Sequence, residues 1–297
     1  MLKISRTTLS EVLLDELGAL SERAAEVQEV RNYVAALEHG LERLKTMPLS
    51  LRLVRELHSE LLSGVRGEQA APGEFRLVQN WIGPPGSTLQ TAAYVPPPYP
   101  EMMEALHSWE TYLHEESRLP DLVQCALMHE QFEAIHPFLD GNGRIGRLLI
   151  TLFLIERGRL SHPLLYISTY LEPHRLEYYQ ALQKVRTHGD WAGWLRFFLV
   201  AVERSAAAAS KQAGRLLDLR TELRTRVRDK PKTLRLLDEL FASPYITVPR
   251  AVKVLGVTAP TARSALKALV EIGVLSDYGG AWRRVFVARP ILDALES

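Results

Sequence analysis

One cysteine, Cys125, is all that 297 residues contain. No internal disulfide can form and no multi-cysteine zinc site is available. That fits a reducing compartment, and Cys125, inside a helical stretch, reads as an inert core thiol. Long apolar runs are missing as well. One of the longest, Leu148 to Ile155, is interrupted by Thr151 and ended by Glu156, far short of the ~20 residues that span a bilayer. The first residues, Met1-Leu2-Lys3-Ile4-Ser5-Arg6, hold no apolar signal core. The expectation is a cytoplasmic protein with no membrane contact. Net charge is nearly absent, +1 from 36 basic and 35 acidic residues, so it names no partner. There is no GxxxxGK[ST] phosphate loop, and His129-Glu130 is followed by Glu133 where a zinc protease needs a second histidine. Internal repeats are also lacking.

What is present is ordinary for a soluble globular chain: 46% apolar and 24% charged residues, long enough for two domains. The charge is uneven. Lys230 to Ser297 nets +4 and the preceding 229 residues net −3, a hint of nucleic-acid contact at the C-terminal end. Apolar residues at Val30, Tyr33, Val34, Leu37, Leu41 and Leu44 recur at helical spacing. Ser50 can cap a helix running to about Leu62. Residues 72–98 hold two short β-prone runs around a Pro/Gly turn and predict a small hairpin. Helices are expected again over 99–114, 121–135, 143–157, 172–187 and 190–228, with Pro137 ending one of them. Trp191, Trp194, Phe197 and Phe198 read as packing residues. Beyond Lys230 the pattern is helix, helix, turn, helix, then strands at 274–275 and 284–287, with Thr247 and Thr258 as caps. That order predicts a winged helix-turn-helix.

The chemistry concentrates in His136-Pro137-Phe138-Leu139-Asp140-Gly141-Asn142-Gly143-Arg144-Ile145-Gly146-Arg147. A histidine at the end of an apolar helix can take a proton from a hydroxyl. Asp140 is a hard oxygen ligand suited to Mg²⁺. Gly141, Asn142 and Gly143 turn the chain so that amide N–H groups converge at a helix N-terminus, where an anion is favoured. Arg144 and Arg147, three apart, share a helix face and can clamp phosphates. Together these parts describe phosphoryl or nucleotidyl transfer. Nine specified residues within twelve, at ~5% usage each, agree by chance at a given start less than roughly once in 10¹⁰.

This stretch resembles the signature of the Fic (filamentation induced by cAMP) family. Gly73-Glu74-Phe75-Arg76, Gln79-Asn80-Trp81-Ile82-Gly83 and Tyr94-Val95-Pro96-Pro97 resemble that family's flap. The resemblance implies a mostly α fold: a helical core made of N-terminal helices (1–50) and a catalytic core (51–228) with flap 73–98 and signature loop 136–147, then a winged helix at 229–297. It implies transfer of AMP from ATP to a Ser, Thr or Tyr hydroxyl of a target protein, self-modification included. His136 would be general base, Asp140 the Mg²⁺ ligand, and Phe138 the anchor of the loop. Gly141, Asn142 and Gly143 would form the anion hole, with Arg144 and Arg147 on the phosphates. Gln79, Asn80, Trp81, Ile82, Gly83 and Tyr94 would dock the target by strand addition. Tyr178 and Tyr179 match adenosine-contacting positions, though helix packing serves equally for either.

Many Fic proteins carry an inhibitory Ser/Thr-x-x-x-Glu-Gly/Asn helix before this core. Aligned on Arg6-Thr7-Thr8-Leu9, this chain has Lys3 and Ile4 at the Glu-Gly positions. Either the start lies upstream or the internal brake is missing, which predicts a deregulated enzyme. In the C-terminal module, Arg250, Lys253, Arg263, Lys267, Arg283 and Arg284 could meet phosphates, with Thr261, Arg263 and Ser264 facing bases. The same module could instead serve protein contact or a homodimer. Two other readings stand beside the enzyme: a DNA-binding regulator whose core senses nucleotide, and a de-AMPylase.

Overall fold

The structure, a computed structural model, describes residues 24–65, 71–84, 86–116, 118–279 and 284–296. The apolar stripe from Val30 to Leu44 forms α1, Ala24–Arg43. Helix α2, Leu51–Leu61, buries Leu53, Val54, Leu57, His58 and Leu61. Its ends are satisfied from outside, as a buried helix terminus requires. Ser50 Oγ accepts from Leu53 N–H at 3.4 Å. Glu156 Oε1 takes Leu49 N–H and Glu110 Oε1 takes Leu51 N–H, both at 2.7 Å. At the other end buried Asn32 donates to the carbonyls of Leu61 (3.2 Å) and Ser63 (2.6 Å).

Helix α3 is Tyr99–His114, α4 Asp121–Ile135 and α5 Asn142–Glu156. They precede α6, Ser168–Leu171, α7, Arg175–His188, and α8, Trp191–Val227. Helices α4 and α5 pack together in the middle of the core, and α5 is buried from Ile145 to Leu154 without a break. A helix covered on all sides has no polar face, so the polar groups of α4, among them His129, Glu130 and Glu133, are buried too. Indole N–H groups meet two α4 carbonyls: Trp109 bonds Met128 (3.0 Å) and Trp194 bonds Ala126 (2.9 Å).

The expected hairpin over 72–98 reduces to one antiparallel bridge, Ile82 with Tyr94, each N–H bonded to the other's carbonyl at 2.8 and 3.0 Å. No strand forms there among the described residues. Prolines 84 and 96–98 lack the N–H a ladder needs. The carbonyls of Val78, Asn80, Pro96 and Pro97 are taken by side chains instead.

The described residues fall into two compact units, 24–207 and 208–296. The division lies inside α8, whereas the sequence reading places the change at 228/229. The physical reason is that Leu223 and Val227, in the last turns of α8, belong to the second core. That unit continues with α9 (Pro231–Ala242), β1 (Tyr245–Thr247), α10 (Val248–Leu255), α11 (Ala259–Glu271), β2 (Ser276–Gly279), β3 (Arg284–Val287) and α12 (Arg289–Glu296). The sheet is antiparallel in the order β1-β3-β2, with Phe286 opposite both Ile246 and Asp277. The strand expected at 274–275 starts at Ser276, and β1 and α12 were not anticipated. Thr247 caps α10 through Arg250 N–H, but Thr258 makes no side-chain cap on α11. No helix among the described residues is long and apolar enough to cross a membrane. Lys3 and Ile4 lie outside the described residues.

Candidate active site

Helix α4 ends at His136 in the left-handed region, φ 48° and ψ 61°. A non-glycine residue there costs about 1–3 kcal/mol and persists only where its surroundings over-determine it. Several contacts do so. Phe138 is fully buried and stacks on His58, centroids 3.7 Å apart and planes 8° off parallel. Asn142 clamps Phe138 across the turn: its Oδ1 accepts from Phe138 N–H (2.8 Å) and its Nδ2 donates to Phe138 O (2.7 Å). His58 accepts from Gly73 N–H at Nδ1 (2.9 Å), so Nε2 carries the proton it donates to Asp140 O (3.0 Å). Burial pushes the His58 pKa down to about 4, against the raising effect of that carbonyl. Gly141, at φ +82°, takes a conformation that penalises a side chain.

The turn opens a cleft of about 390 Å³ lined by His136, Asp140, Gly141, Asn142, Gly143, Arg144 and Arg147, with Trp81, Ile82 and Gly83 across from them. Leu139, Tyr179 and two carboxylates, Glu29 and Glu133, complete the lining. Gly141, the N-cap of α5, provides no side-chain cap. The N–H groups of the first turn have no intrahelical acceptor, which makes an anion site. Buried polar atoms left without a hydrogen bond also gather here: His136 Nδ1, Glu133 Oε1, and Arg147 Nε and Nη1. Such orphans are costly unless something else pairs with them. Burial pushes the His136 pKa down to about 3, helped by the positive charges of Arg186 and Arg76. The ring is therefore neutral in the resting cleft. Burial raises the Glu133 pKa, and Arg147 and Arg186 oppose that. Gly146 lets the chains pass closely, since a Cβ there would sit 2.7 Å from Glu133 Oε1 and 3.2 Å from His129 Cε1.

Most of the signature residues singled out from sequence meet at this cleft, with three refinements. The Asn142 side chain is engaged with the Phe138 backbone through both its amide atoms. Arg144 Nη2 reaches Asp140 Oδ2 at 3.3 Å, and its Nη1 lies 4.0 Å from Glu29. Tyr178 is 2% exposed and does not line the cleft. Its hydroxyl bonds His129 Nε2 (2.9 Å), and His129 Nδ1–H donates to Gly146 O (3.1 Å), which makes Tyr178 a brace behind α5. Tyr179 does line the cleft.

In the flap, Asn80 turns inward to Phe138 O (3.0 Å), Gln79 bonds Pro96 O (2.8 Å) and Tyr94 bonds Ala134 O (2.9 Å). Trp81, Ile82 and Gly83 remain facing the cleft. Residues missed from sequence are His58, Glu29, Glu133 and Arg76. His58 lay hidden as a lone histidine on an apolar face, and Arg76 inside a quoted flap motif.

In the second unit Arg250 bonds Glu239 Oε1 through Nε (3.0 Å) and Nη2 (2.5 Å). Lys267 lies 3.7 Å from Glu271. Lys253 and Arg263 are exposed and Thr261 is half-buried. Arg284 lies in β3, and Arg283 is outside the described residues. Among the described residues no group of three or more His, Cys, Asp or Glu is placed to hold a metal.

Residues 48–154 match the Fic/DOC family. The protein adenylyltransferase Fic of Culex quinquefasciatus is 32% identical over 159 residues, 53% of this chain and 28% of that protein. That of Drosophila grimshawi is 29% identical over 164 residues, 54% of this chain and 30% of that protein. The matched stretch thus spans less than a third of the length of these relatives. A Fic family protein from Desulfovibrio desulfuricans G20 superposes with a TM-score of 0.59 at 22% identity, covering 95% of this chain and 82% of the other. A Fic domain containing signaling protein from Bacteroides thetaiotaomicron VPI-5482 gives 0.53 at 24%, covering 70% and 81%. At such identities the likeness is one of fold. Residues 48–154, which supply the cleft lining apart from Glu29 and Tyr179, are what this chain shares with the Fic/DOC family.

Proposed function

We propose that this chain is a Fic-family protein adenylyltransferase. The observation that carries the reading is the convergence, in one cleft, of a neutral imidazole, an uncapped helix N-terminus and a buried guanidinium with unbonded nitrogens. A triphosphate supplies what each lacks. Its oxygens accept from the first-turn N–H groups of α5 and from Arg147 Nε and Nη1. His136 takes the proton from a target hydroxyl as that oxygen bonds the α-phosphorus, and pyrophosphate leaves. The incoming negative charge raises the His136 pKa from its low resting value, so the substrate itself strengthens the base.

Two arginines face three carboxylates in the cleft, Glu29, Glu133 and Asp140. Positive charge is therefore not in excess for a triphosphate. Mg²⁺ fits this balance, because it is commonly held by one or two carboxylates plus substrate phosphates rather than by an all-protein cage. Asp140 would hold it, and when bound it supplies charge neutralisation on the phosphates. Trp81, Ile82 and Gly83 would line the path of the target's backbone.

The second unit is proposed to be a winged helix. Its basic residues are partly neutralised, Arg250 by Glu239 above all, which favours the enzyme over a primarily DNA-binding regulator. A target protein is the implied partner; DNA contact and a homodimer are secondary proposals. The test is intact mass after incubation with ATP and Mg²⁺. Added AMP on the wild type, and none on His136→Ala, is the expected result. No adduct on either, with self and with a cell extract as acceptor, would remove the enzymatic reading.

A further inference from the structure

Among the described residues, Arg76 is a buried cation with no carboxylate partner. It is 1% exposed, and every hydrogen bond of its side chain goes to a backbone carbonyl. Nε donates to His136 O (3.0 Å), Nη2 to Pro97 O and Ile135 O (3.4 Å), and Nη1 to Val78 O (3.4 Å). Its own N–H donates to Pro137 O (2.9 Å). An unpaired buried charge is expensive, and an apolar side chain would fill the space without that cost. The acceptors show what the guanidinium does there. Ile135 and His136 are the last carbonyls of α4, the negative end of the helix, where a cation is favoured. Val78 and Pro97 lie on opposite sides of the Ile82–Tyr94 bridge. One rigid fork therefore ties both legs of the flap to the residue whose backbone is held in the left-handed region. Asn80 Nδ2 lies 3.5 Å from the same carbonyl and bonds Phe138 O at 3.0 Å, so it steadies one leg of the flap, whereas Arg76 reaches both.

We propose that Arg76 is the positioning residue that sets the docking flap and the His136 imidazole at a fixed separation. The proposal rests on the functional reading above. Arg76 does not line the cleft, so its loss leaves nucleotide contacts in place while the acceptor hydroxyl and the base lose their alignment. Misplacement of about 1 Å can cost on the order of 10²-fold in rate. Lysine at this position keeps the charge but is a point donor that cannot span both legs.

The experiment uses the full chain with histidine labelled by ¹⁵N, as wild type, Arg76→Gln and Arg76→Lys. Three quantities are read: binding of a non-hydrolysable ATP analogue with Mg²⁺ by calorimetry, rate of self-labelling by intact mass, and the imidazole resonances. Both variants should bind the analogue within about threefold of wild type and label at least tenfold more slowly. Their His136 resonances should move while those of His129, buried behind the same loop, stay. If Arg76→Gln does not fold, as lost His129 resonances would reveal, Arg76→Lys carries the test. Wild-type labelling and unmoved His136 resonances in a folded variant would overturn the proposal. If the wild type does not label, the functional reading fails separately, and the resonances still decide whether Arg76 positions His136.

Discussion

His129 and His136 are both kept neutral chiefly by burial, each with its pKa pushed down to about 3. In an unfolded chain an imidazole titrates near 6.5. Between those values the unfolded chain binds protons that the native chain refuses. Stability from this source is therefore complete above pH ~6.5 and drains away as pH falls toward 3, by up to about 1.4 kcal/mol per pH unit for each histidine. Urea midpoints should decline between pH 7 and 5. A midpoint that stays flat down to pH 4.5 would show that the native imidazoles do accept protons. At this scale the signature was legible because its residue types are chemically demanding. Tyr178 stood between two readings because a tyrosine at a given helix position can face ligand or core, and the contact of its hydroxyl with His129 favours the core. The place of Glu133 in the cleft escaped notice because nothing in the sequence says that its carboxylate lies near Arg147.

Among elements, α2 offers the clearest comparison. Ser50→Ala removes a long, 3.4 Å capping bond, while Glu156 and Glu110 still cover the neighbouring N–H groups. Its cost should sit at the low end of the usual cap range, about 0.5–1 kcal/mol. Asn32→Ala strips two carbonyls of their donor at a site that is 5% exposed, and should cost about 1–3 kcal/mol. Urea titrations of the two variants check the order, which equal losses would contradict. Helices were readable because periodicity carries their packing. The flap was not, because its geometry comes from side chains reaching carbonyls, Arg76, Gln79 and Asn80 above all, and no period encodes that. β1 is three residues long, too short for alternation to appear, and exists because Val285 to Val287 lie opposite it.

For the whole molecule, the second unit's charge is the open quantity. Removing Glu239 releases Arg250 from its ion pair. If the unit meets DNA with this face, Glu239→Ala should bind a duplex more tightly, with the slope of log affinity against log salt steeper by about 1. Fluorescence anisotropy at several salt concentrations measures both, and unchanged affinity and slope would take Arg250 out of any DNA contact. The division within α8 was illegible from composition because that helix keeps one uninterrupted pattern while its turns serve two cores. The left-handed turn at His136 has a consequence for how such a chain drifts. Glycine suits that backbone better than histidine does, so a lineage that abandons the chemistry can gain in folding by the very replacement that silences it. Silent descendants would then be the sturdier ones, and only continued demand for the reaction keeps the less comfortable residue in place.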